Sequence, residues 1–407
     1  DTAMKDIRDM GFTVRDFDGY ACDAEMGTGD EAIAVLGHLD VVPAGDGWQT
    51  PPFTPTRDGD RMYGRGTSDD KGPVIASLLA MKAVRDAGIP LKRKIRLILG
   101  CDEESNWEDM AYYTAHADMP RIGFSPDASF PVINTEKGML HFQLKAEAAK
   151  TGLQVKHWMT GERVNVIPGH AEMLLEGGEA LAEQVRAYAK ETGLPYTADV
   201  TAEGVKVTAE GIPGHSAYPE GRRNAIGMML CLLLRLGVEG PLKTIAEAVG
   251  MEHDGASLGC ACADKVSGPL TCNMGIMRVE NGQIFCTLDD RCPVEADQEK
   301  LIAATRAHLP GVQAEVIEQK APHHVPAEGE LVSSLLAAYH EETGLPAEAC
   351  STGGGTYAKV LEQGVAFGAS FPDDEDIAHQ ANEYATISGL MKSMRIYANA
   401  LVRLAGK

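Results

Sequence analysis

The sequence lacks the long apolar runs that cross membranes. No stretch reaches the roughly 18 consecutive apolar residues of a transmembrane helix. Its first residues also lack the basic segment, followed by an apolar one, that marks a signal peptide. The chain opens on Asp1 rather than Met, which leaves the position of the native start open. From these absences we expect no membrane partner.

Cysteine is present but is not arranged in pairs. The nine cysteines are an odd number, and none of them form a CxxC motif. Several, such as Cys22, Cys101 and Cys231, lie in apolar surroundings, where free cysteine behaves as a small apolar residue. This pattern predicts free thiols in a reducing cytoplasm rather than a disulfide framework.

Positive charge is scarce. Lys and Arg number 37 against 59 Asp and Glu, which gives a formal net charge of −22 at pH 7. This balance argues against nucleic acid or an anionic membrane as a partner. The stretch "GRGTSDD" lacks the Lys-Ser/Thr ending of a phosphate-binding loop, so the sequence predicts no nucleotide site either.

The composition that remains is that of a globular protein. Apolar residues make up 44% and charged residues 24% of the 407 residues. A chain of this length exceeds one ordinary core, which predicts two domains or a large α/β body.

The first third of the chain alternates between strands and helices. Apolar strands are expected at Ala32–Leu36, Lys94–Gly100 and Ile122–Ser125, and "GPVIASLLAMKAVRDA" has helical apolar spacing. This order predicts an α/β fold with a mixed, mostly parallel sheet and helices on both faces. The same texture returns near the C-terminus, with a strand at "GVAFGAS" and a long helix beginning near Asn382.

Between these two parts the pattern changes. Strands such as "HFQLKAE" and "VKVTAEG" and the apolar helix at Asn224–Leu236 follow one another in an α+β order typical of ferredoxin-like units. We therefore predict one domain formed by residues 1–137 and 322–407, interrupted by an inserted α+β domain at residues 138–321.

Acidic residues and histidines follow the predicted strands of the first domain. In chain order they are His38 and Asp40; Asp69 and Asp70 ahead of a helix; Asp102, Glu103 and Glu104; Asp127; and Asp373, Asp374 and His379. Because ligands bind beyond the carboxyl ends of parallel strands, we expect these side chains to meet at one edge of the sheet.

Imidazole and carboxylate side chains together suit a divalent metal such as zinc, manganese or cobalt. His38 and Asp40 lie two residues apart and point to the same face of an extended chain, so Asp40 can hold the imidazole from behind. Glu103 and Glu104 are adjacent and point in different directions. One can bind a metal while the other moves a proton, as hydrolysis requires.

Seven stretches together resemble the M20 metallopeptidase family, and most closely its PepV-type dipeptidase branch. They occur in the expected order along nearly the whole chain: "GHLDVVPAGDGW", "YGRGTSDDKGP", "GCDEES", "FSPDASFP", "GHSAYPEGRRNAI", "STGGGTYA" and "HQANE". The resemblance implies two bound divalent metal ions, of which zinc is favoured over manganese or cobalt. It also implies a catalytic domain with an inserted lid.

The resemblance assigns five metal ligands by position. His38 and Asp127 would hold one metal, Glu104 and His379 would hold the other, and Asp69 would bridge them.

The resemblance also assigns the residues that move protons. Glu103 would be the general base that activates the metal-bridging water, and Asp40 would support His38. Asp69 is assigned as the bridge because the family's bridging carboxylate stands three positions before the Gly of "DDKG". The alternative, in which Asp70 bridges and Asp69 caps the following helix, stays open.

In the inserted domain the resemblance implies residues that bind the substrate. His215 would stabilise the oxyanion of the tetrahedral intermediate. Asn165 and Arg291 match polar lid positions, and a guanidinium suits a terminal carboxylate because it binds both oxygens. Backbone N–H groups could receive the same carboxylate in a turn formed by Gly353, Gly354 and Gly355; a tight turn leading into a helix is the alternative for these glycines.

The combined prediction is a cytoplasmic, monomeric dipeptidase that acts on small peptides. An N-acyl-amino-acid amidohydrolase and a succinyl-diaminopimelate desuccinylase use the same chemistry with different pockets and remain alternatives, as does a catalytically silent binding protein. The other histidines of both domains lack acidic neighbours at strand ends and are expected at the surface or as caps; they are His116, His141, His157, His170, His253, His308 and His340.

Overall fold

The computed structural model of the chain describes residues 1–375 and 377–406. Two compact units are found in it. The first comprises residues 1–135, 323–351 and the described chain from Gly355 onward, and the second comprises residues 136–322 with Thr352–Gly354. The second unit thus includes the short segment Thr352–Gly354, which the sequence did not assign to the insertion.

The first unit is built on a mixed sheet. Its strands follow one another in space in the order Thr13–Phe17, Ala21–Met26, Lys94–Gly100, Ala32–His38, Ile122–Ser125, Gln363–Ala366, Val132–Glu136 and His323–His324. Strand Ala349–Thr352 also pairs with Val132–Glu136. The pairs between the four strands from Lys94–Gly100 to Gln363–Ala366 are parallel. The predicted mixed sheet is confirmed, with its parallel pairs at the centre and antiparallel pairs on both sides, and Lys94–Gly100 and Ile122–Ser125 have the predicted bounds.

Helices accompany this sheet: Thr2–Asp9, Lys71–Asp86, Glu108–His116, Glu330–Thr343 and Ile387–Ala405, with a 3₁₀ turn at Tyr357–Val360. Short strands complete the unit: Thr56–Asp58, Arg61–Tyr63 and Tyr384–Thr386 in one ribbon, and Ala128–Ser129 with Ala369–Ser370 in another.

Helix Lys71–Asp86 shows why the apolar spacing predicts a helix. Val74, Leu78 and Met81 recur at the intervals that place side chains on one helical face, and all three are buried. Pro73 lies in the first turn, where its missing N–H leaves no intrahelical bond unmade. The helix therefore begins at the point where the acidic turn at Asp69 and Asp70 ends.

The last helix begins at Ile387 and not near Asn382 as predicted. Asn382 has a positive φ of 64°, and its side chain accepts a hydrogen bond from the Gln49 N–H at 2.7 Å. The Thr386 side chain then accepts a hydrogen bond from the Gly389 N–H and caps the helix. Residues 382–386 are thus used for a loop and a short strand before the helix begins.

The second unit is built on an antiparallel sheet. Its strands lie in the order Tyr196–Thr201, Gly204–Glu210, His170–Leu175, Val155–Thr160, Thr271–Glu280, Gln283–Cys292, Gly138–Glu147 and Gln313–Lys320. Two short ribbons are formed by Val166–Ile167 with Gly214–His215 and by Ala263–Asp264 with Gly268–Pro269.

The helices of the second unit are Glu179–Thr192, Ala225–Arg235, Pro241–Val249 and Gln298–Ala307. Ala225–Arg235 is buried almost throughout and begins at Asn224, whose side chain accepts hydrogen bonds from the Ile226 and Gly227 N–H groups. Its apolar residues join those of the sheet in one core cluster. Among the described residues, none of the helices is long and apolar enough to cross a bilayer.

Candidate active site

The candidate site lies at the carboxyl ends of the parallel strands of the first unit. His38 is the last residue of strand Ala32–His38 and pairs in register with Gly100, the last residue of the neighbouring strand. Glu103 and Glu104 follow that neighbour directly. Asp127 follows Ile122–Ser125, which is the other parallel neighbour of Ala32–His38. The parallel register therefore brings these residues to one edge of the sheet.

Asp69 lies between the two histidines. Its Oδ1 is 2.9 Å from the His38 Nε2, and its Oδ2 is 2.9 Å from the His379 Nε2. The two oxygens of one carboxylate thus face two different imidazoles. Asp70, the alternative considered from the sequence, turns away and its Oδ2 accepts a hydrogen bond from the His38 backbone N–H at 3.2 Å.

Three further carboxylates complete the cluster. The His379 Nε2 is 2.9 Å from Glu104 Oε1, and the His38 Nε2 is 3.8 Å from Asp127 Oδ1. Potential ligand atoms of His38, Glu103 and Asp127 all lie within 4.8 Å of one another, and the same holds for His38, Asp69 and Glu104. Glu103 therefore lies next to the residues that could bind a metal ion.

Asp40 contacts both the His38 ring and the loop that carries Glu103 and Glu104. Its Oδ1 is 3.2 Å from the His38 Nδ1, on the side of the ring that faces away from Asp69. Its two oxygens also accept hydrogen bonds from the backbone N–H groups of Glu103 and Glu104, at 3.2 and 3.1 Å. The Asp40 backbone carbonyl lies 3.1 Å from the same Nδ1, so Asp40 orients the imidazole through its carbonyl and its carboxylate, and the carboxylate also fixes the loop that carries both glutamates.

The loop at Glu103 has a second support that the sequence did not reveal. The buried Asp109 accepts hydrogen bonds through Oδ2 from the Cys101 and Asp102 N–H groups and from the Tyr357 hydroxyl. Tyr357 belongs to "STGGGTYA", a motif that sequence reasoning used only for its glycines. Their pairing joins residues far apart in the chain, so no local pattern indicates it.

The crowding of carboxylates changes the pKa values of the site. Burial and the charge of Asp127 raise the pKa of Glu103 well above its ordinary value. Burial and the charge of Asp69 likewise raise the pKa of Asp127 to about 7. Hydrogen bonds that His379 donates to the Asp69 and Glu104 carboxylates raise the pKa of His379 to about 10. Burial disfavours the charged form of His38, but Asp127, Asp40 and Asp69 outweigh it and raise its pKa.

These donors fit divalent cations. Five carboxylates, those of Asp40, Asp69, Glu103, Glu104 and Asp127, surround two imidazoles. The carboxylates raise the pKa values of both imidazoles, and a bound cation would offset the same negative charge. Nitrogen and oxygen donors at these separations suit zinc, manganese or cobalt and do not resemble a thiolate site.

His215, Asn165 and Arg291 lie on the second unit. His215 ends the short strand Gly214–His215 and is exposed, and its Nδ1 accepts a hydrogen bond from the Ala217 N–H at 3.1 Å. The neutral ring therefore carries its proton on Nε2, which makes that nitrogen a donor. The backbone carbonyl of Asn165 accepts from the Ser216 N–H at 3.0 Å, so the two segments are joined next to His215.

Arg291 is buried rather than open to solvent. Its Nε is 2.8 Å from Asp289 Oδ1, its Nη2 donates to Asp289 Oδ2 at 2.9 Å, and its Nη1 donates to the Gly353 carbonyl at 2.9 Å. Gly353 itself lies so close to Ala217 that an added Cβ would be 2.5 Å from the Ala217 Cβ. Gly354 donates its N–H to Thr352 Oγ1, and Gly355 is exposed and belongs to the first unit.

The expectation that His141 is a surface or capping residue is wrong. Its Nε2 is 3.2 Å from Asp289 Oδ1 and its Nδ1 is 2.8 Å from Glu318 Oε2. Burial opposes the charged imidazole, but Asp289 and Glu318 outweigh it and raise the pKa of His141 to about 9. Asp289 also accepts from the Ser216 hydroxyl at 2.5 Å. These partners come from different strands, so the sequence around His141 gave no signal of them.

The chain was compared with known proteins. A family model described as "Peptidase family M20/M25/M40" matches residues 34–403. The chain is 36% identical, over 97% of its length and 88% of the relative, to the protein named "Putative dipeptidase YtjP" of Bacillus subtilis strain 168. It is 34% identical, over 97% of its length and 87% of the relative, to "Putative dipeptidase SH1171" of Staphylococcus haemolyticus.

Solved structures share the fold. The aminoacylhistidine dipeptidase from Vibrio alginolyticus matches with a TM-score of 0.60 at 14% identity, over 99% of this chain and 91% of that one. Human carnosine dipeptidase 1 matches with a TM-score of 0.59 at 14% identity, over 100% of this chain and 89% of that one. The family match spans most of the chain, including every residue of the acidic cluster. The protein is a peptide-bond hydrolase and belongs to peptidase family M20/M25/M40.

Proposed function

We propose that the protein is a dipeptidase whose acidic cluster holds two divalent metal ions, as in the PepV-type branch of the family. The observation that carries the proposal is the position of Asp69, whose two oxygens each lie 2.9 Å from a different imidazole. A carboxylate placed in this way can offer one oxygen to each of two cations. The dipeptidase names of relatives that are more than 30% identical over most of their length support the substrate class.

In this proposal His38 and Asp127 hold one cation, Glu104 and His379 hold the other, and Asp69 is shared. Bound cations would polarise the scissile carbonyl and make water a better nucleophile at neutral pH, zinc being the first choice and manganese or cobalt the alternatives.

Glu103 would move the protons of the reaction. Its carboxylate would take a proton from the attacking water and deliver it to the leaving amine, which splits the peptide bond without leaving a charged amide nitrogen. The raised pKa of Glu103 suits a group that must both accept and release a proton. Asp40 would keep His38 and the Glu103 loop in place through the contacts described above.

His215 would donate a hydrogen bond to the oxyanion of the tetrahedral intermediate, because its Nε2 carries the ring proton. Arg291 donates hydrogen bonds from Nη1 to Gly353 and from Nη2 to Asp289, and the second N–H of each of these nitrogens would bind a substrate carboxylate. We assign the backbone of Gly353, Gly354 and Gly355, together with Asn165, to the same end of the substrate. The free state of all nine cysteines supports a cytoplasmic location.

The test is a metal analysis of the purified protein combined with a substrate panel. The panel contains dipeptides, N-acetyl amino acids and N-succinyl amino acids, each assayed with and without added zinc, manganese or cobalt. We expect about two divalent ions per chain and hydrolysis of dipeptides only. Absence of bound metal together with no stimulation by the added ions would refute the metal site, and preferential cleavage of N-acyl substrates would replace dipeptidase by deacylase.

A further inference from the structure

Three segments that carry or adjoin the acidic cluster are neither helix nor strand. They are Pro43–Ala44 after Asp40, Gly66–Asp69 before the helix at Lys71, and His379–Gln380. His379 also has a positive φ of 64°. Residues other than glycine rarely adopt this backbone conformation, so contacts with the surrounding structure must stabilise it. Regular secondary structure therefore does not explain how Asp69 and His379 come to face each other.

A buried ion pair joins these segments. Arg65 and Glu383 are 6% and 0% exposed, and the Arg65 Nη1 donates to Glu383 Oε2 at 2.7 Å. The other hydrogen bonds of both side chains, made by Arg65 Nη1 and Nη2 and by Glu383 Oε1, all go to backbone groups of the loops. Neither residue was singled out from the sequence.

Glu383 holds the loop of Asp69. Its Oε1 accepts hydrogen bonds from the backbone N–H groups of Gly66, Ser68 and Asp69, at 3.0, 2.9 and 3.2 Å. One carboxylate oxygen thus accepts hydrogen bonds from three backbone N–H groups within four residues of an irregular segment. The position of the Asp69 backbone follows from that of the Glu383 carboxylate.

Arg65 holds the two other segments. Its Nη2 donates to the carbonyls of Pro43, Ala44 and His379, at 3.3, 3.0 and 3.4 Å, and its Nη1 donates to the Gln380 carbonyl at 3.1 Å. The guanidinium also lies over the Trp48 ring, 5.2 Å from its centroid. A planar fork of donors can reach several carbonyls at once, whereas an ammonium cannot do so with the same geometry.

We propose that the buried Arg65–Glu383 ion pair is a positioning element that presets Asp69 and His379 for divalent-cation binding. The inference rests on the proposed metal site. Partners that orient metal ligands typically change metal affinity about 10- to 100-fold when they are removed. The competing explanation is that the pair only stabilises the fold of the first unit, and metal affinity separates the two.

The main variant is the double substitution Arg65→Met with Glu383→Gln. It removes both charges together, and replacing a buried pair without leaving one charge behind is often nearly neutral for stability. Metal-free protein, prepared by dialysis against a chelator, is titrated with MnCl₂ and with ZnCl₂ in a calorimeter. Thermal unfolding of the same metal-free samples measures stability independently of metal and of activity.

A matched control exists in the same unit. Arg96 and Glu25 form a partly buried pair between neighbouring strands, with the Arg96 Nη2 2.8 Å from Glu25 Oε2. Arg96 lies near the start of its strand, at the end opposite to Gly100. The double substitution Arg96→Met with Glu25→Gln therefore removes a comparable pair away from the acidic cluster.

We expect the Arg65/Glu383 double variant to bind metal at least about 10-fold more weakly than the unsubstituted protein, and the control to stay within about threefold. Arg65→Lys keeps the positive charge but loses the planar set of guanidinium donors, so it should also bind metal more weakly. This variant replaces the double variant in the test if the double variant does not fold. Unchanged metal affinity in the variant that folds would overturn the inference. It would also be overturned if the control lost as much metal affinity as the Arg65/Glu383 variant for the same drop in melting temperature. If the unsubstituted protein binds no metal, the proposed function itself fails, and the inference fails with it.

Discussion

Each unit of the molecule has a cluster of charged side chains, and the two clusters differ in the ratio of carboxylates to cationic groups. In the first unit, carboxylates outnumber the two imidazoles that contact them. In the second unit, the two carboxylates of Asp289 and Glu318 contact the two cationic side chains of Arg291 and His141. The histidines respond in the same way in both clusters, with raised pKa values.

The first cluster has carboxylates in excess, whereas in the second cluster Asp289 and Glu318 each contact a cationic side chain of the protein. Asp127 is held with its pKa raised to about 7, because burial and Asp69 oppose its charge. Asp289 is fully buried, but Arg291 and His141 outweigh the effect of burial and lower its pKa. An excess of buried carboxylates is costly unless a cation is bound, whereas a paired carboxylate needs none.

The largest expected effect is on catalysis and concerns Glu103 in the carboxylate-rich cluster of the first unit. Glu103→Ala should lower turnover about 1,000-fold or more, because the group that moves the protons is lost, while bound metal stays nearly intact. The measurement is the kcat for dipeptide hydrolysis together with metal content. Glu108→Gln, on the exposed start of the next helix, is the control. Retained activity above a few per cent would refute Glu103 as the base.

The second test breaks the balanced cluster. Asp289→Asn leaves Arg291 and His141 without their shared carboxylate and should cost about 3 kcal/mol of unfolding free energy, with or without added metal. Chemical denaturation measures the loss. Asp199→Asn, exposed on the edge strand of the same unit, should be nearly neutral. A loss that disappears when zinc or manganese is added would contradict the assignment of Asp289 to a self-contained network.

The third test removes a charge from the unbalanced cluster. Asp127→Asn should change the unfolding free energy of the metal-free protein by less than about 1 kcal/mol, because the Asp127 charge is opposed there by burial and by Asp69. It should also weaken metal binding at least about 100-fold, since a ligand is lost. Calorimetric titration measures the affinity, with the exposed Asp118→Asn as control. A large destabilisation of the metal-free variant would mean that the Asp127 charge stabilises the fold as the Asp289 charge does, which would contradict the difference between the two clusters.

The smallest effect concerns pH. The pKa of His141 is raised in the folded protein to about 9, so its contribution to stability is complete below the unfolded value near 6.5 and is lost as pH rises through about 9. His141→Gln should therefore reduce the decline of unfolding free energy between pH 7 and 9.5, by about 2 kcal/mol. Denaturation curves at several pH values measure this, and parallel declines in both proteins would contradict the role of Asp289 and Glu318.

Much of the candidate site could be predicted because parallel strands place consecutive motifs at a common edge. Apolar runs predict strand bounds such as those of Lys94–Gly100. Because the strands are parallel, the residues that follow them lie at the same edge of the sheet. Long-range pairs were not predictable in this way. His141 and Asp289 lie on different strands, and Arg65 and Glu383 are far apart in the chain.

The sequence by itself determined which chemical groups follow each strand and, through its motifs, the family. Tertiary structure decided which atoms face one another. Asp69 and Asp70 are adjacent and identical, and no periodicity applies within the irregular turn that carries them. The contacts of Glu383 with that turn, and of His38 with both aspartates, set Asp69 between the imidazoles and Asp70 beneath them.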